Sequence, residues 1–136
     1  MDASASPGNL AGIGRRRLFL PRCTTITSYG LGGNAASLVD LGNVTGSYFY
    51  PGRGNSTTNT ITVVLRSTAV PTFSTFNKTN VRRIYVYSSI IDAFKADSKC
   101  STAASITFAI GGTEWVDEFG SSNEWADYPD GISPFN

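Results

Sequence analysis

The chain has 136 residues, 40% of them hydrophobic and 12% aromatic, which is enough apolar material for the core of one domain. Only 15% of the residues are charged and the net charge is +1, which disfavours a dedicated nucleic-acid binder, since such a protein is strongly basic. The absence of histidine excludes the common His-dependent catalytic systems and most zinc sites, and no apolar run is long enough to span a membrane.

The first 59 residues are predicted to contain an arm, several short strands and a long loop. Residues 1–14 are small, glycine-dotted and without the pattern of a secretory signal, which is typical of an irregular arm. β-Branched and aromatic residues predict strands over residues 17–20, 23–29, 38–41 and 44–50. The last two could pair as a hairpin across Gly42 and Asn43. Residues 51–59 are turn formers without an apolar member and predict a loop.

Two strands in the centre of the chain show clear alternation. Residues 60–66 and 81–87 place apolar side chains at every second position, which predicts one buried face for each strand. The side chains predicted to point inward are those of Ile61, Val63, Leu65, Ile84 and Val86. Arg83, Tyr85 and Tyr87 share the opposite face of the second strand. Pro71 restricts residues 69–76 to an edge strand or a loop.

The last third of the chain is predicted to hold one short helix and two further strands. The helix spans residues 90–99, with Ser89 as its cap and Asp92 completing a capping box. Residues 105–110 alternate and predict a strand, with Ile106, Phe108 and Ile110 inward. Residues 113–119 predict a last strand, and residues 120–136 form an acidic, aromatic arm.

These elements predict a mainly β fold, namely a single small β-sandwich or barrel-like domain with one short helix at about residues 90–99. The predicted organisation is an N-terminal arm (1–14), a β-rich core domain (15–119) and an acidic C-terminal arm (120–136). No internal repeat is evident in the residue pattern.

Charge is divided unevenly along the chain. Residues 1–99 carry eleven basic and four acidic side chains, a net charge of +7, whereas residues 100–136 carry six acidic side chains and no basic ones. Either the acidic segment folds over the basic face of its own chain, or it contacts the basic face of a neighbouring copy and so builds a ring or filament. The predicted assembly contacts are Arg15, Arg16, Arg17, Arg82, Arg83, Asp117, Glu118, Glu124, Asp127 and Asp130.

Three groups of side chains are candidates for ligand binding or catalysis. Arg83, Tyr85 and Tyr87 could combine phosphate contacts with base stacking on a sheet face. Aromatic residues near the C-terminus could stack on sugar rings; they are Trp115, Trp125 and Tyr128. The neighbouring acids Glu114, Asp117 and Glu124 offer the carboxylate pair of a glycoside hydrolase. An acidic surface arm explains the same carboxylates, so we expect no catalytic residue and no metal site.

The two cysteines, Cys23 and Cys100, admit one disulfide, which would close a loop of about 78 residues and stabilise the fold by roughly 4 kcal/mol. Because the chain shows no export signal, two buried free thiols are the favoured alternative.

The composition, split charge and lack of catalytic chemistry together predict a structural subunit of a virus or bacteriophage particle, such as a coat, tail-tube, neck or decoration protein. Its arms would contact copies of itself or other particle proteins, with nucleic acid as a secondary partner and no membrane or cofactor involved. The expected location is the virion, assembled in the host cytoplasm. The alternatives are a carbohydrate-binding module that uses the Trp- and acid-rich C-terminal segment, and a small carboxylate enzyme.

Overall fold

The computed structural model describes residues 2–3, 17–19, 24–26, 38–51 and 61–119. These residues contain nine short strands and three short helical elements, so the expectation of a mainly β fold is confirmed. No helix within these ranges has the length and apolar character needed to cross a membrane.

The strands form two parallel sheets. The four-stranded sheet contains, in spatial order, β1 (Asp2–Ala3), β3 (Thr25–Ile26), β5 (Gly46–Phe49) and β7 (Thr72–Phe76). The five-stranded sheet contains β2 (Arg17–Phe19), β4 (Leu38–Asp40), β6 (Ile61–Val64), β8 (Val81–Val86) and β9 (Thr107–Ala109). Every pairing is parallel, and both sheets are open. The barrel-like alternative is therefore wrong for this part of the chain.

Consecutive strands alternate between the two sheets from β1 to β8. Neighbouring strands within a sheet begin 20 to 26 residues apart, so each turn of the chain adds one strand to each sheet, as in a solenoid. A structural repeat is thus present although the residue pattern shows none. The predicted hairpin of residues 38–41 and 44–50 is wrong, because β4 and β5 belong to different sheets.

One large hydrophobic cluster, which we call the inner core, draws on both sheets. Phe49 and Phe73 come from the four-stranded sheet, and Val39, Val63 and Ile84 from the five-stranded sheet. The five residues of the two central strands that were predicted to point inward all belong to this cluster. The period of two identified them because alternate side chains of a strand point to opposite faces. The prediction of a single buried face is wrong, because Thr62, Val64 and Tyr85 on the opposite faces are buried as well.

The three helical elements follow β8 and differ from the sequence predictions. The first helix, α1 (Ile91–Ala96), buries Phe94 but has no side-chain cap, so the Ser89 capping box is wrong. A 3₁₀ helix spans Ser101–Ile106, and it replaces the first part of the strand predicted over residues 105–110. Ile106 packs against the inner core as expected, whereas Phe108 and Ile110 pack in a different cluster.

The second helix, α2 (Thr113–Phe119), lies where a last strand was predicted. Gly111 turns the chain between β9 and this helix with a φ of 80°, a conformation that favours glycine. Trp115 and Phe119 are four residues apart, which brings both rings to one face of a helix but would separate them along a strand. Burial of both rings on that face selects the helix.

Candidate functional site

The richest arrangement of polar side chains among the described residues lies where α2 covers the outer face of the five-stranded sheet. Trp115 and Phe119 of α2 pack against the ring of Tyr85 from β8, with Trp115 perpendicular to it at a centroid distance of 5.1 Å. A second hydrophobic cluster results, which we call the outer cluster. Its members are Leu38, Val64, Tyr85, Trp115 and Phe119, with Phe108 and Ile110 packed against them.

Glu118 is the polar centre of this surface. Its Oε1 accepts a hydrogen bond of 2.8 Å from the Thr62 hydroxyl and another from Nη2 of Arg82. Its Oε2 accepts from the Tyr85 hydroxyl at 2.5 Å and lies 3.6 Å from Nη1 of Arg83. One carboxylate on α2 is therefore held by side chains from two neighbouring strands, β6 and β8.

A β-bulge explains how two consecutive arginines reach the same carboxylate. The pairing of β8 with β6 shifts between Ile61 and Thr62, so that Val81 lies opposite the former and Arg83 opposite the latter. Arg82 is the extra residue. A bulge locally breaks the alternation of a strand and redirects one side chain. Without it, Arg82 and Arg83 would point to opposite faces of the sheet.

The environment of Tyr85 stabilises its neutral form. Burial, followed by the hydrogen bond to the Glu118 carboxylate, raises the pKa of Tyr85 well above its ordinary value. The hydroxyl also lies 3.1 Å from the main-chain carbonyl of Glu114 and accepts from Nη1 of Arg83 at 3.1 Å. A phenol held in this way acts as a hydrogen-bond donor that fastens α2 to the sheet.

This arrangement contradicts the prediction that Arg83, Tyr85 and Tyr87 form a ligand-binding face. The side chain of Tyr85 has no exposed surface, and α2 covers it, so it cannot stack on a base. Arg83 is half-buried, contacts Glu118 and lies 5.6 Å from the Phe108 ring centroid. Tyr87 is half-buried. Arg83 and Tyr85 do share one face of the strand, but this face is an internal contact, and Tyr87 follows the end of β8.

The prediction that Trp115 stacks on a sugar ring is wrong. Trp115 is only 5% exposed because its ring fills the space between α2 and the sheet, so it cannot form a stacking platform. Its proposed partners Trp125 and Tyr128 lie outside the described residues.

The predicted assembly contacts divide into three groups. Arg82 and Arg83 each pair with Glu118 inside the chain, which is the first of the two alternatives drawn from the split charge. Asp117 is exposed on α2, and Arg17 begins β2. The remaining five lie outside the described residues; they are Arg15, Arg16, Glu124, Asp127 and Asp130.

Cys100 is a buried free thiol, and Cys23 lies outside the described residues. Burial, together with the nearby Asp97 carboxylate, raises the pKa of Cys100 to about 12. A thiol in this state is a poor nucleophile and a poor metal ligand.

A second ionic contact fastens β4 to the end of β6. Asp40 accepts a hydrogen bond from Nε of Arg66 at 2.9 Å and another from the main-chain N–H of Gly42 at 3.0 Å. The side chain of Asp40 is 3% exposed, and burial raises its pKa above the ordinary value despite the opposing attraction of Arg66. The contact closes the turn that follows β4.

No group of three or more potential metal ligands gathers anywhere in the described ranges. Glu114 and Asp117 lie on α2, and Glu124, the third candidate of the carboxylate enzyme, is outside these ranges.

The contact between Thr62 and Glu118 was not predicted from the sequence. Glu114 and Glu118 are four residues apart, and so are Trp115 and Phe119. This spacing is typical of an amphipathic helix and could have indicated α2.

No family model, curated protein or solved structure matches this chain.

Proposed function

We propose that this chain is a structural subunit of a larger assembly, and specifically of a virus or bacteriophage particle. The observation that carries the proposal is the contrast between the two ends of the parallel sheets. Among the described strands, β1 and β2 are the outermost at one end, whereas at the other end β7 contains a bulge and β9 is followed by helix α2. An outermost strand offers main-chain N–H and C=O groups to which another chain can pair.

The opposite edge of the four-stranded sheet is protected against such pairing. Its outermost strand, β7, contains a bulge at Ser74, since Ser47 pairs with Phe73 and Tyr48 with Thr75. Nζ of Lys99 donates a hydrogen bond of 3.3 Å to the carbonyl oxygen of Ser74. Bulges and lysines are the features by which natural proteins prevent strand addition at an edge. With the β7 edge protected, strand addition would join chains through the β1 and β2 end.

In this proposal the two sheets face each other as a sandwich, which the inner core shared by both sheets supports. The N-terminal arm (1–14) and the adjoining Arg15, Arg16 and Arg17 contact copies of the chain or other particle proteins. The acidic C-terminal arm contributes Glu124, Asp127 and Asp130 to the same contacts. Nucleic acid is a secondary partner, and the location is the virion, assembled in the host cytoplasm.

Size-exclusion chromatography coupled to light scattering, at low salt and in about 1 M salt, tests the proposal. In the high salt the Debye length is about 3 Å. We expect particles much heavier than the 14.5 kDa monomer that become smaller at high salt, because arm contacts between exposed charges are screened. Charge reversal in the variant Arg15→Glu/Arg16→Glu should give the smaller species even at low salt.

The matched control is Lys78→Glu/Lys95→Glu, which makes the same change in net charge in the β7–β8 turn and on α1. Its particles should keep the size of the wild type. A monomer at every concentration and salt level would contradict self-assembly. Equal effects of the two variants would show that net charge, and not the arm, controls association.

A further inference from the structure

The outer face of the four-stranded sheet carries two tyrosines in a row. Tyr48 lies in β5, Tyr50 follows that strand, and both side chains are partly exposed. Their rings are within 8° of parallel, with centroids 6.5 Å apart. Two residues along a strand span about 6.6 Å, so the strand itself sets this spacing and holds the rings in the same orientation. The pair forms an ordered aromatic surface.

Hydroxyl side chains lie on β7, the strand next to the tyrosines. Thr75 lies opposite Tyr48 in the neighbouring strand and is partly exposed, and Thr72 and Ser74 of the same strand are exposed. No charged residue occurs in β3, β5 or β7. On this face, β5 and β7 therefore contribute aromatic rings and neutral hydroxyl groups.

The strands that carry these side chains are held rigidly from beneath. Phe49, which is next to both tyrosines in sequence, points inward and stacks on Phe76 with a centroid distance of 4.3 Å, and it meets Phe73 edge-on at 5.3 Å. Gly46 allows a close approach of the strands, because a Cβ atom there would lie 2.5 Å from the carbonyl oxygen of Thr72. A surface ordered before binding loses little conformational entropy when a ligand arrives.

We propose that this face, which we call the tyrosine face, binds a neutral carbohydrate. The C–H groups of a sugar ring carry partial positive charge and pack on the electron-rich face of an aromatic ring, while sugar hydroxyls exchange hydrogen bonds with Tyr, Thr and Ser hydroxyls. Aromatic side chains with a few placed polar groups are typical of small-ligand sites. A nucleic acid or acidic glycan would require several cations. β3, β5 and β7 contain none, and Lys99 reaches the edge of β7 at the carbonyl oxygen of Ser74.

The site differs from the glycan site predicted from the C-terminal aromatic residues. It uses a sheet face in place of Trp115, which is buried under α2. Binding here does not require self-assembly, so it can be tested on the chain in any oligomeric state.

The test is a screen of the purified chain on an array of neutral glycans. Isothermal titration with a hexasaccharide of each retained type follows, and the probes are cellohexaose, maltohexaose, mannohexaose and xylohexaose. We expect at least one to bind with a Kd of about 1 mM or below. The variant Tyr48→Ala/Tyr50→Ala should weaken binding by at least about tenfold. Tyr48→Phe/Tyr50→Phe keeps the rings and should retain most of the affinity.

The matched control is Tyr87→Ala, which removes a half-buried tyrosine that follows β8 of the other sheet. It should leave the Kd unchanged, and circular dichroism with thermal melting should show that each variant is folded. Absence of binding to every neutral glycan would overturn the proposal. Equal loss in Tyr87→Ala and in Tyr48→Ala/Tyr50→Ala would overturn it as well, and so would binding confined to sulfated or acidic glycans.

Discussion

The inner core and the outer cluster both contain buried aromatic side chains but are stabilised differently. The inner core lies between elements of both sheets, and the side chains that form it are apolar. The outer cluster lies between one sheet and the seven-residue helix α2, and Tyr85 and Glu118 tie it together through hydrogen bonds. One region depends on packing alone, and the other depends on packing and on a polar network.

The difference follows from where each cluster lies. Where strands of both sheets meet in the inner core, apolar side chains contact apolar side chains, and their burial alone stabilises the contact. A short helix has little surface to bury and few internal hydrogen bonds, so it needs specific partners to hold one orientation. The carboxylate of Glu118, held from two strands, provides that orientation. Substitutions in the two regions should therefore differ in size and in their response to salt and pH.

The largest effect is expected in the inner core. Phe49→Ala removes a side chain with no exposed surface that contacts Phe73 and Phe76. We expect the free energy of unfolding to fall by about 3–5 kcal/mol, because the cavity cannot be filled by rigid neighbouring rings. Urea unfolding monitored by circular dichroism measures the change. A loss below about 1 kcal/mol would show that the aromatic group is loosely packed.

A smaller effect is expected where the polar network is broken in the outer cluster. Tyr85→Phe keeps the ring but removes the donor to Oε2 of Glu118, which should lower the free energy of unfolding by about 1–3 kcal/mol. Tyr87→Phe serves as the matched control, because Tyr87 is half-buried outside the cluster, and its effect should be close to zero. Similar losses in the two variants would contradict a special role of the Tyr85 hydroxyl.

Asp40 lies outside both clusters and should make the free energy of unfolding depend on pH. Its pKa is raised by burial, so between the unfolded pKa of about 3.9 and the folded pKa the native state holds a proton that the unfolded chain has lost. This contribution stabilises the fold in acid and is lost as the pH rises through that window. Relative to Asp40→Asn, the wild type should therefore become less stable from about pH 4 upward. Urea unfolding at a series of pH values checks this, and parallel pH profiles would disprove it.

The smallest effect is expected for the exposed ion pair of the outer cluster. Arg82 is 44% exposed and pairs with Glu118, so Arg82→Ala should lower the free energy of unfolding by only about 0.2–1 kcal/mol. The loss should shrink in about 1 M salt, which screens exposed charges. The loss in Tyr85→Phe should not shrink, because that bond is buried. Unfolding of the three proteins in both salt conditions tests the distinction.

The central strands and their faces could be predicted from the sequence because side-chain alternation alone specifies which residues point inward. Ile61, Val63 and Ile84 were assigned to the core in this way. Parallel pairing could not be predicted, because the period of two is the same whether the neighbouring strand comes from a hairpin or from the next turn of a solenoid. The short strands and the irregular segments between them hid the repeat of 20 to 26 residues.

The outer cluster was predicted only in part. Arg83 and Tyr85 were placed on one face correctly, but their partner Glu118 lies 33 residues from Tyr85 and was placed in a predicted last strand. The bulge that adds Arg82 to the same face arises from the pairing of β6 with β8 and has no sign in the sequence of either strand.

The sequence by itself therefore determined the mainly β character of the chain, the inward faces of its central strands and its split charge, because these depend on residue type and local spacing. The tertiary structure alone decided that the sheets are parallel, that residues 113–119 form a helix and that Glu118 meets Thr62, Arg82 and Tyr85. These features depend on contacts between distant parts of the chain. A helix as short as α2 is marginal in isolation and is stabilised by the surface on which it packs.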